Sequence, residues 1–245
     1  MNYGSGSLTI AALRNGTRTV LERVRYDGIS RCSRAFGRGD AALVVLSQLG
    51  PGVVRGDAVS TRGHLRAGAH LIVTSQTSTR LMGGARPARF TSRWTLDDGA
   101  TLELIGEPLV AYADAAYDAL TDIELGARAS VLISEIAAVP AAAAVRLRTS
   151  IVRAGRELFY DAFEPAAAAP QTVGTFAIVG RSESAATELT ASLDRAADRL
   201  GADALRAGIG LLPTGVFARL IGPNPWSVRC ALGTLHAAAR TVTIH

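Results

Sequence analysis

Apolar residues along this chain come in short runs, alternating or continuous, separated by turn formers. Over residues 49–135 one phrase comes three times: an apolar residue, a few spacers, Gly-Ala, then an apolar run. The copies occupy residues 65–73, 96–105 and 123–133, and their glycines, Gly68, Gly99 and Gly126, are 31 and 27 residues apart. Glycine accepts positive φ and suits a tight turn. The runs after it (71–74, 101–105 and 130–133) are short, rich in β formers and bounded by turn signals, which is the pattern of strands. Each phrase reads as strand, turn, strand. Three at near-regular spacing predict stacked hairpins in a sandwich or a coil, each unit covering its neighbour's apolar face.

The flanking sequence fits the same reading. Asn15-Gly16 predicts a hairpin near the start. Residues 41–46 form a strand that leads into Gly50, and 90–96 alternate as a half-exposed strand. Residues 82–89, with Gly83-Gly84 and Pro87, predict a loop. Residues 148–152 and 157–163 predict strand, turn, strand, and 140–145 and 165–170 are alanine-rich connectors. The period changes after a strand at 175–179. Ala186, Leu189, Leu193, Ala197 and Leu200 recur at helical spacing, with Ser182 as cap and Gly201 as stop. A hairpin follows around Pro213-Thr214-Gly215. Asn224-Pro225 then opens a second helix to about Arg240, with Val228, Leu232, Leu235 and Ala239 on one face. The predicted fold is mainly β: a large stacked β-hairpin structure with two α-helices in the C-terminal third. It is a single domain over 1–245, β-rich over 1–180 and strand–helix–strand–strand–helix over 175–240.

Composition narrows the chemistry. The chain is 48% hydrophobic but only 5% aromatic, so alanine, valine and leucine must build the core. All 26 basic residues are arginine and the net charge is +5. The arginines are scattered without interleaved aromatics, which argues against nucleic acid. Cys32 and Cys230 lie far apart with no CxxC, so a cytoplasmic protein without disulfides is expected. No leader is read at the start, and no apolar run is long enough to span a membrane. Neither G-x-S-x-G nor H-E-x-x-H occurs. Residues 174–182 echo a phosphate loop but lack its lysine and its glycine spacing. Asp97-Asp98 reads as turn chemistry. His64 and His70, six apart across a Gly-Ala turn, could face each other on a hairpin. They read as a solvent-exposed pair, since two imidazoles alone do not make a metal site. The residues alone describe a non-catalytic, mostly β interaction or carrier domain.

Several longer stretches resemble the urease accessory protein family UreD (UreH in some bacteria). Gly50-Pro51-Gly52-Val53-Val54-Arg55-Gly56-Asp57 is similar to the family's Gly-Gly-x-Val-x-Gly-Asp. Residues 68–80, Gly-Ala-His-Leu-Ile-Val-Thr-Ser-Gln-Thr-Ser-Thr-Arg, are similar to its Gly-Ala-x-Leu-x-Leu-Thr-Thr-Gln-Ala-Ala-Thr-Lys. Residues 98–108 resemble its Gly-Ala-x-Leu-Glu-x-Leu-Pro-x-Pro, and 126–135 and 211–240 also fit. The resemblance covers about residues 25–240. It implies a large helical β-structure plus two helices, and no catalysis. It implies partners UreF, the GTPase UreG and apo-urease, with Ni²⁺ in transit and no tightly bound cofactor.

The resemblance further implies an internal, water-filled route lined by polar and acidic side chains, and puts Asp57, Thr79, Glu135 and Asp161 along it. Spaced carboxylates and hydroxyls attract a hydrated dication but release it, whereas imidazole and thiolate would hold nickel. The C-terminal helices are the candidate dock for UreF, through Leu189, Leu193, Trp226, Leu232 and Leu235. Two departures from the family pattern stand out. Ile105-Gly106 replaces Leu-Pro, and residues 139–144 are shorter and lack the arginine and glutamate of Gly-Arg-x-Ala-x-Gly-Glu. Two alternatives are a β-rich ligand-binding or interaction domain unrelated to nickel, and a hydrolase using Asp57 and Glu135.

Overall fold

A computed structural model describes residues 4–54, 56–83, 86–164, 171–198 and 205–243. The chain opens with β1 (Ser5–Asn15), which turns at Asn15-Gly16 onto antiparallel β2 (Arg18–Gly28). Short β3 (Ser30–Cys32) and β4 (Phe36–Arg38) both pair with β5 (Ala41–Gln48). Three turns of a coil follow. The first holds β6 (Ala58–Leu65), β7 (His70–Ser75) and β8 (Thr79–Leu81). The second holds β9 (Ala88–Leu96), β10 (Thr101–Ile105) and β11 (Leu109–Ala111), and the third β12 (Ala116–Leu125) and β13 (Ser130–Val139). A fourth begins with β14 (Ala144–Arg153) but reverses at Ala154-Gly155, both at positive φ, into antiparallel β15 (Arg156–Phe163). The chain ends as β16 (Gln171–Val179), α1 (Glu183–Ala197), β17 (Arg206–Leu212), β18 (Gly215–Gly222) and α2 (Pro225–Thr243). The connector at 165–170 and the helix stop at Leu200-Gly201 lie outside the described residues.

The strands form two facing sheets. One runs β15-β14-β12-β9-β6-β1-β2, the other β17-β18-β16-β13-β10-β7-β5-β3. The mainly β class with two late helices is the one expected. The Gly-Ala phrase is not a hairpin, however. Its two strands belong to different sheets, and each pairs in parallel with its counterpart in the next turn of the coil. The coil alternative therefore holds at these corners. Leu65, Leu96 and Leu125 stack in register, as do Leu71, Leu102 and Val131, all at most 2% exposed. Corner hydrogen bonds continue the stack, from Thr101 N to Ala69 O (2.8 Å) and from Ser130 N to Ala100 O (3.0 Å).

This register moves the third copy. Its leucines are 31 and then 29 residues apart, and Arg128, not Gly126, takes the place of Gly68 and Gly99. Gly68 and Gly99 have φ +68° and need glycine for the turn. Gly126 needs it for space, because a Cβ there would lie 2.7 Å from Asp98 N. The antiparallel strands β2 and β15 are the two edges of the first sheet, and β2 carries Arg18, Glu22, Arg23 and Arg25, charges of the kind that discourage pairing with other chains.

The interior has apolar layers at two levels. One, near the Gly-Ala corners, holds the leucine stacks with Ile10, Val44, Trp94 and Ile133. The other holds Val53, Leu81, Tyr117, Val139 and Val145. A third core lies outside the second sheet. Leu189, Leu193, Val228, Leu232 and Leu235 of the helices cover Phe176, Ile178, Val216 and Leu220 there. The caps are those expected: Ser182 Oγ accepts from Ala185 N (3.3 Å), and Asn224 Oδ1 from Ser227 N (2.9 Å).

Candidate functional site

Between the two interior apolar layers the coil turns polar. On the first sheet Thr61, Ser92, Thr121, Thr149 and Asp161 are paired in register across β6, β9, β12, β14 and β15. The four hydroxyl residues are buried. Alternation explains the inward aim: Leu65, Leu96, Leu125 and Ile151, an even number of residues along each strand, point into the core. On the facing sheet Glu135, Thr175 and Arg219 form a matching row across β13, β16 and β18. Hydroxyls, carboxylates and one guanidinium therefore face each other through the middle of the molecule.

Two cavities lie along this band. The larger, about 440 Å³, is lined by Ser30, Arg31, Ser47, Thr61, Ser75 and Arg80 among others. The smaller, about 120 Å³, is lined by Gly106, Glu107, Tyr117, Thr121, Glu135 and Thr149 among others. Thr79 and Phe90 line both, so they form the partition. Thr79 is fixed there by its backbone N–H, which donates to Pro108 O (2.9 Å).

At the far end of the band Glu135 and Asp161 approach each other. Burial pushes the Glu135 carboxyl up to about 7, the negative charge of Asp161 adds to the rise, and Arg219 opposes it. Burial, with the nearby Glu135 charge, also raises the Tyr117 phenol. One nitrogen of Arg219 donates to both Asp161 oxygens (2.6 and 2.7 Å), and the other to Thr175 Oγ1 (2.8 Å). Its guanidinium lies 5.3 Å from the Phe163 ring centre and 5.1 Å from that of Phe217. Arg219, which sequence reasoning missed, is thus held from four sides.

Thr79, Glu135 and Asp161 therefore share one internal band. Asp57 stands apart. Like Asp161 it lines neither cavity, but unlike Asp161 it is off the row, and its carboxylate accepts from Gly4 N (2.7 Å) and Val54 N (2.8 Å), tying the segment before β1 to the turn before β6. The structure does not bring Asp57 and Glu135 together as an acid–base pair. Among the described residues no group of three or more His, Cys, Asp or Glu is arranged to hold a metal ion, and no helix is long and apolar enough to cross a membrane.

The histidines also separate. His64 lies on the outer face of the first sheet and bonds Asp97 (2.9 Å). His70 lies on the second sheet beneath α2 and bonds Glu103 (2.8 Å), which also accepts from Arg240 (3.2 Å). Burial opposes ionisation of Glu103, but His70, Arg240 and His236 together hold its carboxyl below the usual range.

The family model described as UreD urease accessory protein matches residues 4–245. The chain belongs to the UreD family. It is 28% identical to a urease accessory protein UreD of Actinomyces naeslundii, over 90% of this chain and 88% of that protein. It is likewise 28% identical to one from Azoarcus sp., over 89% and 82%. With one from Sorangium cellulosum the identity is 28% over 71% of this chain, and the match spans 58% of that protein's length.

Of the two departures from the UreD pattern, one lies at the smaller cavity. Gly106 lines it, and a Cβ there would meet nothing nearer than Ser134 O at 4.0 Å. Ile105-Gly106, in place of Leu-Pro, therefore leaves open space at this wall. The shortened 139–144 segment makes a tight turn, Ala143 N to Pro140 O (3.1 Å), and its Val139 and Ala143 pack into the second apolar layer.

Of the five residues expected to meet a UreD partner, Leu189, Leu193, Leu232 and Leu235 are at most 3% exposed and pack on the chain's own sheet. The helical period found the buried face, which is the face that amphipathicity marks. Trp226, 72% exposed at the start of α2, is the only one of the five a partner can reach.

Proposed function

We propose that this UreD protein helps mature urease by passing Ni²⁺ toward the apo-urease site, in a cytoplasmic complex with UreF and UreG, by binding rather than catalysis. The observation that carries this reading is the polar band, in register across five strands and continued by the Glu135–Thr175–Arg219 row. A packed β core tolerates buried polar groups only with partners or water. Ser92 Oγ accepts from Trp94 Nε1 (2.7 Å) and Thr175 Oγ1 from Arg219 (2.8 Å), while Thr61, Thr121, Thr149 and Glu135 line the two cavities, where water or a polar cargo can meet them.

The donor set suits transit. Hydroxyls and carboxylates are hard ligands that hold a hydrated dication loosely, while the imidazole and thiolate that nickel prefers lie off this path. Glu135 titrates near neutrality, so a cation competes there with a proton and is easily released. Trp226 is the natural anchor for a helical partner such as UreF, because exposed tryptophans often carry interface energy.

The test is Glu135→Ala in cells that co-express urease and its other accessory proteins, with urease nickel measured by elemental analysis. Nickel per urease active site falls several-fold while this protein stays folded and soluble. An unchanged nickel content with the variant present at normal level removes the route from this band.

A further inference from the structure

Arg219 is an odd residue to find on a route for cations. Its positive charge sits at the carboxylate end of the band, where it repels a dication. A structural link between β18 and β15 could be made by apolar residues, and buried ion pairs are often no more stable than such replacements. Its seating points to more than a link. Phe163, Phe217 and Thr175 hold the guanidinium in place independently of Asp161. These contacts fix the charge beside Asp161.

Resting on the transit reading above, we propose that Arg219 is a built-in counter-ion that keeps the Glu135–Asp161 end a releasing site rather than a holding one. With Arg219 bonded to both oxygens of Asp161, an arriving dication must displace an existing charge-assisted pair to use that carboxylate. It otherwise gains only Glu135. Two carboxylates without a counter-ion would bind a divalent cation far more strongly, because each unit charge at a few ångström in a partly buried site is worth kilocalories. Strong binding would stop traffic, since a conducting site must be weak enough to leave. Arg219 sets that strength, and the two phenylalanine rings keep it from following the cargo.

The experiment measures Ni²⁺ binding to the untagged full chain by equilibrium dialysis, for wild type, Arg219→Gln, Arg219→Met and Arg219→Lys. Arg219→Gln and Arg219→Met bind Ni²⁺ about tenfold or more tightly than wild type, a conservative figure for removing one unit charge. Arg219→Lys, which keeps the charge, shows no such gain. Adding Glu135→Gln to Arg219→Gln abolishes the gain. A purely structural Arg219 would move melting temperature in all three variants and nickel affinity in none. No gain in either neutral variant, a gain in Arg219→Lys as well, or failure of both neutral variants to fold overturns the proposal. The transit reading is judged separately, by urease nickel in Glu135→Ala. If that variant impairs nickel delivery while the Arg219 variants show no gain, only the counter-ion role is lost.

Discussion

The two cavities share a wall at Thr79 and Phe90 but differ in charge and size. The larger is lined by hydroxyls and by Arg31 and Arg80, and among the described residues by no carboxylate. Arg31 is tethered to the carbonyls of Gly28 and Ser30 (2.8 and 2.6 Å) and stacks over Tyr26, so its charge has a set place. The smaller cavity has about a quarter of the volume and is lined by Glu107, Glu135 and Arg148, with Glu107 paired to Arg229 and Arg148 to Asp118. A coil of similar turns thus places two carboxylates at the smaller cavity, while the larger is lined by hydroxyls and arginines. On the proposed route a dication meets its first carboxylates at the smaller cavity, and the proposed role of Arg219 is to limit how strongly they hold it. The difference teaches that repetition supplies the stacked cavities, and departures from the repeat supply their distinct linings.

The sharpest way to break the comparison is to fill the smaller cavity and leave its charges alone. Gly106 lies in ordinary backbone, not at positive φ, and has open space where a side chain would go. Gly106→Leu is therefore tolerated by the fold and occupies the passage beside Glu135. Nickel per urease active site falls to a small fraction of the wild-type value, with the melting temperature within a few degrees of wild type. A filling mutation that leaves delivery intact would show that cargo does not cross this cavity.

Removing the charge and keeping the shape sharpens the same contrast. In the folded protein the Glu135 carboxyl is raised from 4.5 to about 7. The folded state therefore binds that proton more tightly than the unfolded chain. The associated stability is fully present below about pH 4.5 and is lost as pH rises through about 7. Glu135→Gln removes this dependence. Above pH 7 it is more stable than wild type by up to about 3 kcal/mol, and its denaturation midpoint varies less between pH 5 and 8. Equal pH profiles for the two proteins would mean that Glu135 is well solvated. No variant of the larger cavity's hydroxyls carries a comparable pH effect.

Much of this architecture was legible in the chain, and the limits have physical causes. Local patterns identify strands, caps and turns because each depends on neighbours a few residues away; the Asn15-Gly16 hairpin and both helix starts are of this kind. The corners were misread as hairpins because strand, turn, strand looks the same whether the partner is the next strand or one about 30 residues on. Gly126 attracted the register because it precedes alanine, as Gly68 and Gly99 do, whereas the leucine stack places Arg128 there. The polar band contributes one residue per strand, so it leaves no local motif. Its signal is long-range: Thr61, Ser92, Thr121 and Thr149 recur at the spacing of the buried leucines. Arg219 follows the coil and carries no period at all. Helical spacing, finally, marks the face a helix buries, so it selected Leu189, Leu193, Leu232 and Leu235 and could not single out Trp226.

Asp57 tests where the route ends and the wall begins. By resemblance it belongs beside Thr79 and Glu135, but its oxygens are committed to Gly4 N and Val54 N, and it lines neither cavity. Its work is that of a cap, satisfying two backbone donors at a buried turn. Asp57→Ala leaves both donors without a partner and costs about 1–2 kcal/mol of stability, read from urea or thermal unfolding. Asp57→Asn keeps an acceptor oxygen for one of them and recovers part of that loss while removing the charge. The two variants separate the roles. If Asp57 is wall, urease nickel follows the amount of folded protein, and Asp57→Asn is nearly normal. If its charge guides the cation, both variants deliver poorly, and Asp57→Asn does so at near-normal stability. That second outcome would bring a carboxylate back to the arginine-lined side and erase the electrostatic contrast between the two cavities.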